Sequence, residues 1–303
     1  MTRARIPNEI ELEYDTFGSQ DDPTLLLVMG LGAQMIVWDD RFCQQLADGG
    51  RYVVRFDNRD VGHSTKFDGQ FVDVMALVAA TFARSPMPDV PYLLSDMAAD
   101  AIGLLDHLGV PRAHVVGASM GGMIVQTLAI EHPNRLLSAT SIMSTIGDVT
   151  YGSPNPEALT MLLAPPPANR EEAIAQAANY AIVGSKRYFD LSRLQQLVAA
   201  CFDRNSYPEG VSRHVAAICA SGDRTEALRQ VTVPMLVIHG LDDALINPSG
   251  GRRTAELVPG AHLLEVADMG HDMPEQLWPL LTSSILAHQT TATFGSDLLE
   301  ARS

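Results

Sequence analysis

A serine set between two glycines is the residue of this sequence whose surroundings most directly suggest chemistry. Ser119 is the centre of Gly117-Ala118-Ser119-Met120-Gly121, a Gly-x-Ser-x-Gly pattern between an apolar run and an apolar helical stretch. A strand, a sharp turn and a helix of this kind expose the serine hydroxyl on a strained backbone that small neighbours permit. The N-terminus of the helix also directs backbone N–H groups towards the serine. Because a plain glycine-rich turn fits the same five residues, the rest of the chain must decide.

A serine hydroxyl is a weak nucleophile at neutral pH, so the motif requires a histidine base and a carboxylate behind it. The expected chain order is serine, then aspartate or glutamate, then histidine. His271 lies in the loop 268–274, after a predicted strand and before a predicted helix, where it can reach Ser119. We predict that His271 is the base. The other eight histidines are interpreted as structural: His63, His107, His114, His132, His214, His239, His262 and His288.

The acid is predicted to be Asp243. It follows a buried strand that ends at Gly240, and it stands next to Asp242. Adjacent residues cannot both face the histidine, and a three-residue step from Gly240 carries Asp243 over the edge of the sheet. Asp242 is expected to bond the backbone of the turn instead. Three other aspartates are weaker candidates for the acid: Asp148, Asp268 and Asp272.

An oxyanion hole needs two backbone N–H groups beside the serine. One is predicted to come from Met120, the residue after the nucleophile, and the other from Leu31. Leu31 lies in the glycine-rich turn Met29-Gly30-Leu31-Gly32-Ala33, which closes a buried strand. The serine motif, its histidine and aspartate partners, and the glycine-rich turn all stand where the mechanism requires them. All three together are much less expected by chance than any one of them.

Composition describes an ordinary globular chain. Its 303 residues, 46% of them apolar, suffice for a large core, and a net charge of −15 argues against a nucleic-acid partner. No secretory signal precedes the first strand, and the longest apolar windows are too short to span a membrane. Cys43, Cys201 and Cys219 are widely spaced, which favours free thiols and a cytoplasmic location. The sequence does not reveal the oligomeric state.

Apolar runs that alternate with helical patterns indicate a parallel sheet. Residues 9–16 alternate as in an edge strand, whereas continuous apolar runs are typical of buried strands. The other strands are predicted at residues 25–29, 52–56, 113–116, 136–143, 233–239 and 262–266. Helices are predicted at residues 39–48 and 94–108. The chain is therefore predicted to have an α/β fold with a mostly parallel sheet of seven or eight strands and flanking helices.

One long departure from this alternation predicts a helical lid. Residues 145–224 contain no buried-strand pattern, and helices are predicted after Asn169, after Asp190 and from Pro208. An insertion at this point covers the carboxyl ends of the strands or merely packs beside them. We predict a core of residues 1–144 and 225–290, the lid at 145–224 and a frayed tail at 291–303.

In this order the motifs resemble the α/β-hydrolase family over residues 9–288. The motifs that carry the resemblance are Met29-Gly30-Leu31-Gly32, Asp57-Asn58-Arg59-Asp60-Val61-Gly62-His63-Ser64, Gly117-Ala118-Ser119-Met120-Gly121-Gly122, Gly240-Leu241-Asp242-Asp243 and Gly270-His271. Within the family the chain resembles the bacterial carboxylesterase and lipase branch that includes the anthracycline methylesterases. There Leu-Leu-x-Met-Gly replaces the more usual His-Gly of the oxyanion loop, and Met29 occupies the histidine position. Arg59 and Asp60 are expected to tie loops together.

The resemblance implies that Ser119 attacks an ester carbonyl, His271 transfers the proton, and Asp243 supports the imidazole. It implies no metal or organic cofactor. Dehalogenases and epoxide hydrolases are disfavoured because they place an aspartate where Ser119 stands, and prolyl aminopeptidases commonly have tryptophan where Met120 stands. Carbon–carbon bond hydrolases, thioesterases and a non-catalytic ligand receptor on the same fold stay open.

The acyl or alcohol group of the substrate is predicted to be hydrophobic because the lid is mostly apolar, and the acidic surface disfavours anionic groups. The individual pocket residues cannot be read from the sequence. Trp38, shortly after the glycine-rich turn, fits either a pocket wall or ordinary packing. Five apolar lid residues are expected to form lid core more than substrate contacts: Met161, Leu162, Leu163, Leu194 and Leu197.

Overall fold

Eight strands form one sheet, and its central strands are buried on both faces. The computed structural model describes residues 2–300, apart from the side chains of Asn8 and residues 293–300. The strands are β1 (Thr2–Arg5), β2 (Glu11–Phe17), β3 (Thr24–Val28), β4 (Tyr52–Phe56), β5 (Ala113–Ala118), β6 (Leu136–Ile142), β7 (Met235–Gly240) and β8 (His262–Val266). Their order across the sheet is β1-β2-β4-β3-β5-β6-β7-β8.

The sheet is parallel except at one edge. β1 pairs antiparallel with β2, and β2 pairs antiparallel with β4, while the other neighbours run parallel. All residues of β3, β4, β5 and β7 are buried, as their continuous apolar runs predict. The predicted fold class is confirmed. Each of the seven predicted strands is present, and β1 is the eighth.

The described residues form eleven α-helices, some of which cover the two faces of the sheet. They are α1 (Asp40–Asp48), α2 (Val74–Ala83), α3 (Leu94–His107), α4 (Met120–Glu131), α5 (Pro156–Leu162), α6 (Arg170–Gln176), α7 (Leu191–Arg204), α8 (Pro208–Ser221), α9 (Thr225–Leu228), α10 (Ser249–Leu257) and α11 (Trp278–Glu300). The apolar sides of α3 and α4 pack on one face of the sheet. Those of α1 and α11 pack on the other. Two apolar layers therefore hold the central strands, and with them the loops at their ends.

Within the described residues, the regular secondary structure of the insertion between β6 and β7 is entirely helical. We call residues 145–224 the cap segment; it contains α5 to α8 and a 3-10 stretch, Ala177–Ile182, and α9 follows it. Asn169 and Asp190 cap α6 and α7 through their side chains, as their types suggest. The helix predicted from Asn169 through Ala181 is α-helical only as far as Gln176 and then tightens. The predicted core and lid boundaries stay predictions.

The last helix reaches into the segment for which the sequence predicts fraying, residues 291–303. α11 runs as far as Glu300, and residues 301–303 lie outside the described part of the chain. None of the helices in the described residues combines the length and the apolar character needed to cross a bilayer.

Candidate active site

Ser119 lies on a sharp turn between β5 and α4. Its backbone has φ 58° and ψ −120°, outside the regions that a serine ordinarily adopts. A methyl group on Gly117 would overlap the carbonyl oxygen of Gly121, and one on Gly121 would overlap that of Val28. The two glycines of the motif are therefore required for the turn to close, and the turn leaves Ser119 partly exposed above the sheet.

A chain of two hydrogen bonds joins Ser119 to His271 and His271 to Asp243. The Oγ of Ser119 lies 3.0 Å from Nε2 of His271, and Nδ1 of His271 lies 2.8 Å from Oδ2 of Asp243. A carboxylate only accepts, so Nδ1 carries the proton and Nε2 is free to accept from the hydroxyl. The three residues follow β5, β7 and β8, at the carboxyl ends of parallel strands of the same sheet.

Asp243 is held as a charged, oriented acceptor. Its Oδ1 accepts from the backbone N–H groups of Leu245 and Ile246, both at 2.9 Å. His239, at the end of β7, places Nε2 3.4 Å from Oδ2. Burial opposes the charge, but His271 and His239 outweigh it and lower the pKa of Asp243. The carboxylate therefore stays ionised and fixed in position.

The expected division of roles between the two adjacent aspartates needs one correction. Asp242 was expected to bond the turn backbone with its side chain, but Asp243 does so with Oδ1 while Oδ2 faces His271. Only the backbone of Asp242 takes part, through its N–H and the carbonyl of Met269, at 2.9 Å. One carboxylate has two oxygens, so Asp243 serves both the turn and the base.

The loop that carries His271 is bound to the cap segment. The N–H of His271 donates to the carbonyl of Val183 at 2.6 Å. Oδ1 of Asp272 accepts from the N–H groups of Ser185 and Gly270, at 2.9 and 3.2 Å. Asp272 thus shapes its turn, and burial raises its pKa. The sequence contains no signal for the bonds to Val183 and Ser185, because these residues lie more than eighty positions before the loop.

The glycine-rich turn after β3 lies directly against the nucleophile. We call residues 30–33 the glycine turn; it closes through a 3.2 Å hydrogen bond from the N–H of Ala33 to the carbonyl of Gly30. A methyl group on Gly30 would come within 3.0 Å of Cβ of Ser119. In the turns and loops of residues 2–300, neither Leu31 nor Met120 gives its N–H to a backbone acceptor. The structure thus places the glycine turn, which contains Leu31, against Ser119, and Met120 directly follows Ser119.

Other residues singled out by the sequence have structural partners. Arg59 forms a buried pair with Asp100, with two N–O distances of 2.6 and 2.7 Å, so it ties the loop after β4 to α3. Trp38 is fully buried and stacks on Phe42, with ring centroids 5.7 Å apart, so its role is packing.

Most of the eight remaining histidines lie away from the triad. His114, for example, bonds Ser138 at the start of β5. Two of them do touch the site: His239 flanks Asp243, and His214 of α8 bonds the glycine turn. Sequence reasoning treated both as merely structural, since neither stands in a motif that points to the serine.

A cavity of about 650 Å³ opens at the amino ends of the strands, among Arg112, His262 and His288. None of the triad residues borders it. The residues that line this cavity include no serine, no cysteine and no carboxylate. We therefore assign the candidate active site to the hydrogen-bonded triad. Within the described residues, no group of three or more His, Cys, Asp or Glu side chains is arranged to hold a metal ion.

The arrangement suits nucleophilic acyl chemistry. A hydroxyl, an imidazole and a carboxylate in hydrogen-bonded series can pass a proton while the hydroxyl oxygen attacks a carbonyl. Two backbone N–H groups beside the hydroxyl can receive the negative charge that forms on the carbonyl oxygen.

The chain is similar to proteins of known fold and named activity. A family model described as the alpha/beta hydrolase fold matches residues 23–276. The rhodomycin D methylesterases DauP of Streptomyces sp. strain C5 and DnrP of Streptomyces peucetius are each 30% identical to the chain, over 96% of it and 99% of their own length. A solved enol-lactonase from Burkholderia xenovorans LB400 superposes with a TM-score of 0.73 at 25% identity, covering 95% of this chain and 100% of that one.

Proposed function

The chain belongs to the α/β-hydrolase fold family, and we propose on that basis that it hydrolyses carboxylic esters through an acyl-enzyme formed on Ser119. The predicted resemblance to the anthracycline methylesterases is confirmed by the two rhodomycin D methylesterases, and so is the predicted enzyme class, a carboxylic-ester hydrolase. The mechanism and the substrate are proposals that rest on the geometry of the site.

One observation carries the mechanism: the unbroken hydrogen-bonded series from Asp243 through His271 to Ser119, with distances of 2.8 and 3.0 Å. His271 takes the hydroxyl proton as Ser119 attacks the ester carbonyl. It then gives that proton to the departing alcohol. Asp243 holds the imidazole in the required tautomer and stabilises its positive charge.

The N–H groups of Leu31 and Met120 stabilise the oxyanion of both tetrahedral intermediates. A water molecule then replaces the alcohol, gives a proton to His271 and attacks the acyl carbonyl. Collapse of the second intermediate returns the proton to Ser119 and releases the carboxylic acid. Each step uses only groups of this chain, so the reaction calls for no metal and no organic cofactor.

We propose a small-molecule ester with a hydrophobic group as substrate. The cap segment leaves apolar side chains open to solvent: Leu162 and Leu163 are each 39% exposed, Leu191 of α7 is 36% exposed, and Leu194 and Leu197 of α7 are half-buried. Apolar surface on a segment that bonds the loop of His271 is suited to an apolar acyl or alcohol group. Because the two relatives are named methylesterases, methyl esters of hydrophobic acids are the first class to assay. The cytoplasmic location stays a prediction.

The proposal is tested by turnover of two ester sets. One set is p-nitrophenyl esters with acyl chains from about two to sixteen carbons, and the other is methyl esters of hydrophobic acids, followed by acid release at constant pH. We expect turnover by the native chain and a loss of at least about 10³-fold in Ser119→Ala. Circular dichroism establishes that the variant is folded. Full activity in the variant would remove Ser119 from the mechanism.

The open alternatives give different outcomes in the same experiment. A thioesterase would prefer acyl thioesters over oxygen esters of the same acid, and a carbon–carbon bond hydrolase would cleave a vinylogous diketone while leaving both ester sets intact. A ligand receptor would bind hydrophobic esters without labelling of Ser119 by a serine-directed phosphonate. Any of these results would overturn the ester assignment.

A further inference from the structure

His214 of the cap segment lies between two loops of the core. It is fully buried on α8. Its Nδ1 lies 3.1 Å from the N–H nitrogen of Gly32 in the glycine turn, and its Nε2 lies 2.8 Å from the carbonyl oxygen of Arg59. The imidazole therefore bridges the glycine turn and the loop after β4.

The two partners of His214 determine its protonation. The carbonyl of Arg59 can only accept a hydrogen bond, and the N–H of Gly32 can only donate one. Both contacts are satisfied only by a neutral ring with its hydrogen on Nε2. Burial lowers the pKa of His214 to about 4, so this form persists at neutral pH. His214 is a permanent acceptor for the glycine turn.

The other end of the bridge is rigid. Arg213, next to His214, binds both carboxylate oxygens of Asp60 at 2.8 and 2.9 Å, and Tyr92 donates to the same carboxylate at 2.6 Å. A methyl group on Gly210 would overlap the carbonyl oxygen of Asp60, so α8 also packs on this loop at backbone distance. A rigid frame is what a fixed acceptor requires.

The glycine turn depends on support from outside its own strand. Gly32 has a φ of 63°, a left-handed conformation, and it packs against Val211, one helical turn before His214 on α8. The side chain at position 29, where the family more usually has histidine, is methionine, which has no N–H to donate. The core contributes a hydrogen bond to the carbonyl of Met29 from Asn58, at 2.9 Å. At Gly32, the hydrogen bond comes from the cap.

We infer that His214 is a positioning residue for the oxyanion hole: by holding the N–H of Gly32, it fixes the glycine turn so that the N–H of Leu31 points at the oxyanion. This inference rests on the proposed function. It assigns part of the hole to the cap segment, and His214 then takes part in catalysis without touching the substrate.

The kinetic test compares three substitutions, with rates normalised to the active sites titrated by a serine-directed phosphonate. His214→Leu removes the acceptor, and we expect kcat to fall about 10- to 100-fold with KM within about twofold, because the contact serves the transition state. His214→Asn keeps an acceptor oxygen near the position of Nδ1, and we expect it to retain activity within about threefold. His114→Leu is the matched control, since it replaces another buried histidine, far from Ser119.

Two further measurements separate positioning from general weakening. A trifluoromethyl ketone forms a tetrahedral adduct on the serine, and its affinity should fall in His214→Leu by the same factor as kcat/KM, while the affinity of a non-reactive alcohol inhibitor stays unchanged. Hydrogen exchange should quicken in the peptide that spans the glycine turn, and not in α1.

Native-like kcat in His214→Leu would overturn the inference. So would equal losses in His214→Leu and His214→Asn, or a loss of the same size in His114→Leu. If the native chain hydrolyses no ester, the proposed function fails. The exchange experiment still reports whether His214 holds the turn, so the two failures are distinguishable.

Discussion

Asp242 and Asp243 are neighbours in the chain, yet the structure gives them different surroundings. Asp243 is buried against His271, whereas the side chain of Asp242 is partly exposed. Loss of charge at position 243 would remove the support of the imidazolium and favour the wrong tautomer. The residue type at position 242 should have little effect on catalysis.

The aspartate pair therefore offers a matched test of the acid. We expect Asp243→Asn to lower kcat about 10⁴-fold and Asp242→Asn to leave it within about threefold. Initial rates with one p-nitrophenyl ester, with thermal unfolding as a check on structure, are sufficient. The opposite pattern would show that Asp242 is the acid.

The structure also explains which site residues the sequence can reveal. Ser119, Asp243 and His271 follow strands in a fixed chain order, so local patterns and topology point to them. His214 bonds Gly32 across 182 residues, and no local pattern marks it. Asp243 could be chosen over Asp242 by counting from Gly240, but its double use of two oxygens is visible only in three dimensions.

At the scale of elements, the crossing of β5, α4 and β3 is the closest packing at the site. Gly121 sits where α4 begins, and the carbonyl of Val28 on β3 occupies the space that a side chain would need. Backbone atoms cannot rotate away as a side chain can. The strain at Ser119 is therefore maintained by three elements together.

This packing predicts a large cost for one methyl group. We expect Gly121→Ala to lower the free energy of unfolding by about 3 kcal/mol or more, since the backbone must move. Gly109→Ala is the control: that glycine also has a positive φ, 69°, but open space around it, so only about 1 kcal/mol is expected. Urea unfolding of both variants measures the difference, and equal losses would contradict the packing argument.

Helix boundaries in the cap segment show where local patterns fail. Pro156 occupies the first turn of α5 behind the cap residue Asn155, where proline is tolerated, and α5 is not among the helices predicted from the sequence. α6 passes into a 3-10 stretch before the Val183 carbonyl reaches His271. The apolar spacing continues through Ala181 and does not predict this change of helix type.

At the scale of the whole molecule, the cap is joined to the core at each loop of the site. Val183 of the cap bonds the loop that carries His271, and His214 bonds the glycine turn. Arg224 bonds α4, the helix that follows Ser119, with its Nε 3.2 Å from Oε1 of Gln126. These bonds tie the cap segment to the loop of His271, the glycine turn and the helix that follows Ser119. The insertion can be predicted from the sequence, but these contacts with the core cannot.

The buried histidines make stability depend on pH. Burial lowers the pKa of His214 to about 4 and that of His114 to about 3, from an ordinary value of 6.5. As the pH falls below 6.5, the unfolded chain binds these protons while the folded chain does not, so stability is lost on acidification. Each histidine should lower the free energy of unfolding by roughly 2 kcal/mol between pH 7 and pH 5.

Urea unfolding at a series of pH values measures this loss. His114→Leu should show a shallower pH dependence than the native chain, by roughly the contribution of one histidine. A variant curve parallel to the native one would show that His114 is not kept neutral by burial.

The central claim is an acyl-enzyme on Ser119, and it is tested most directly by trapping that species. The chain is mixed with a p-nitrophenyl ester, quenched with acid within the first turnover and digested, and the peptide containing Ser119 is examined by mass spectrometry. We predict the mass of the acyl group on Ser119, formed together with a burst of about one p-nitrophenol per active site. Ester turnover with no acyl group on Ser119, or with the acyl group on another residue, would contradict the account.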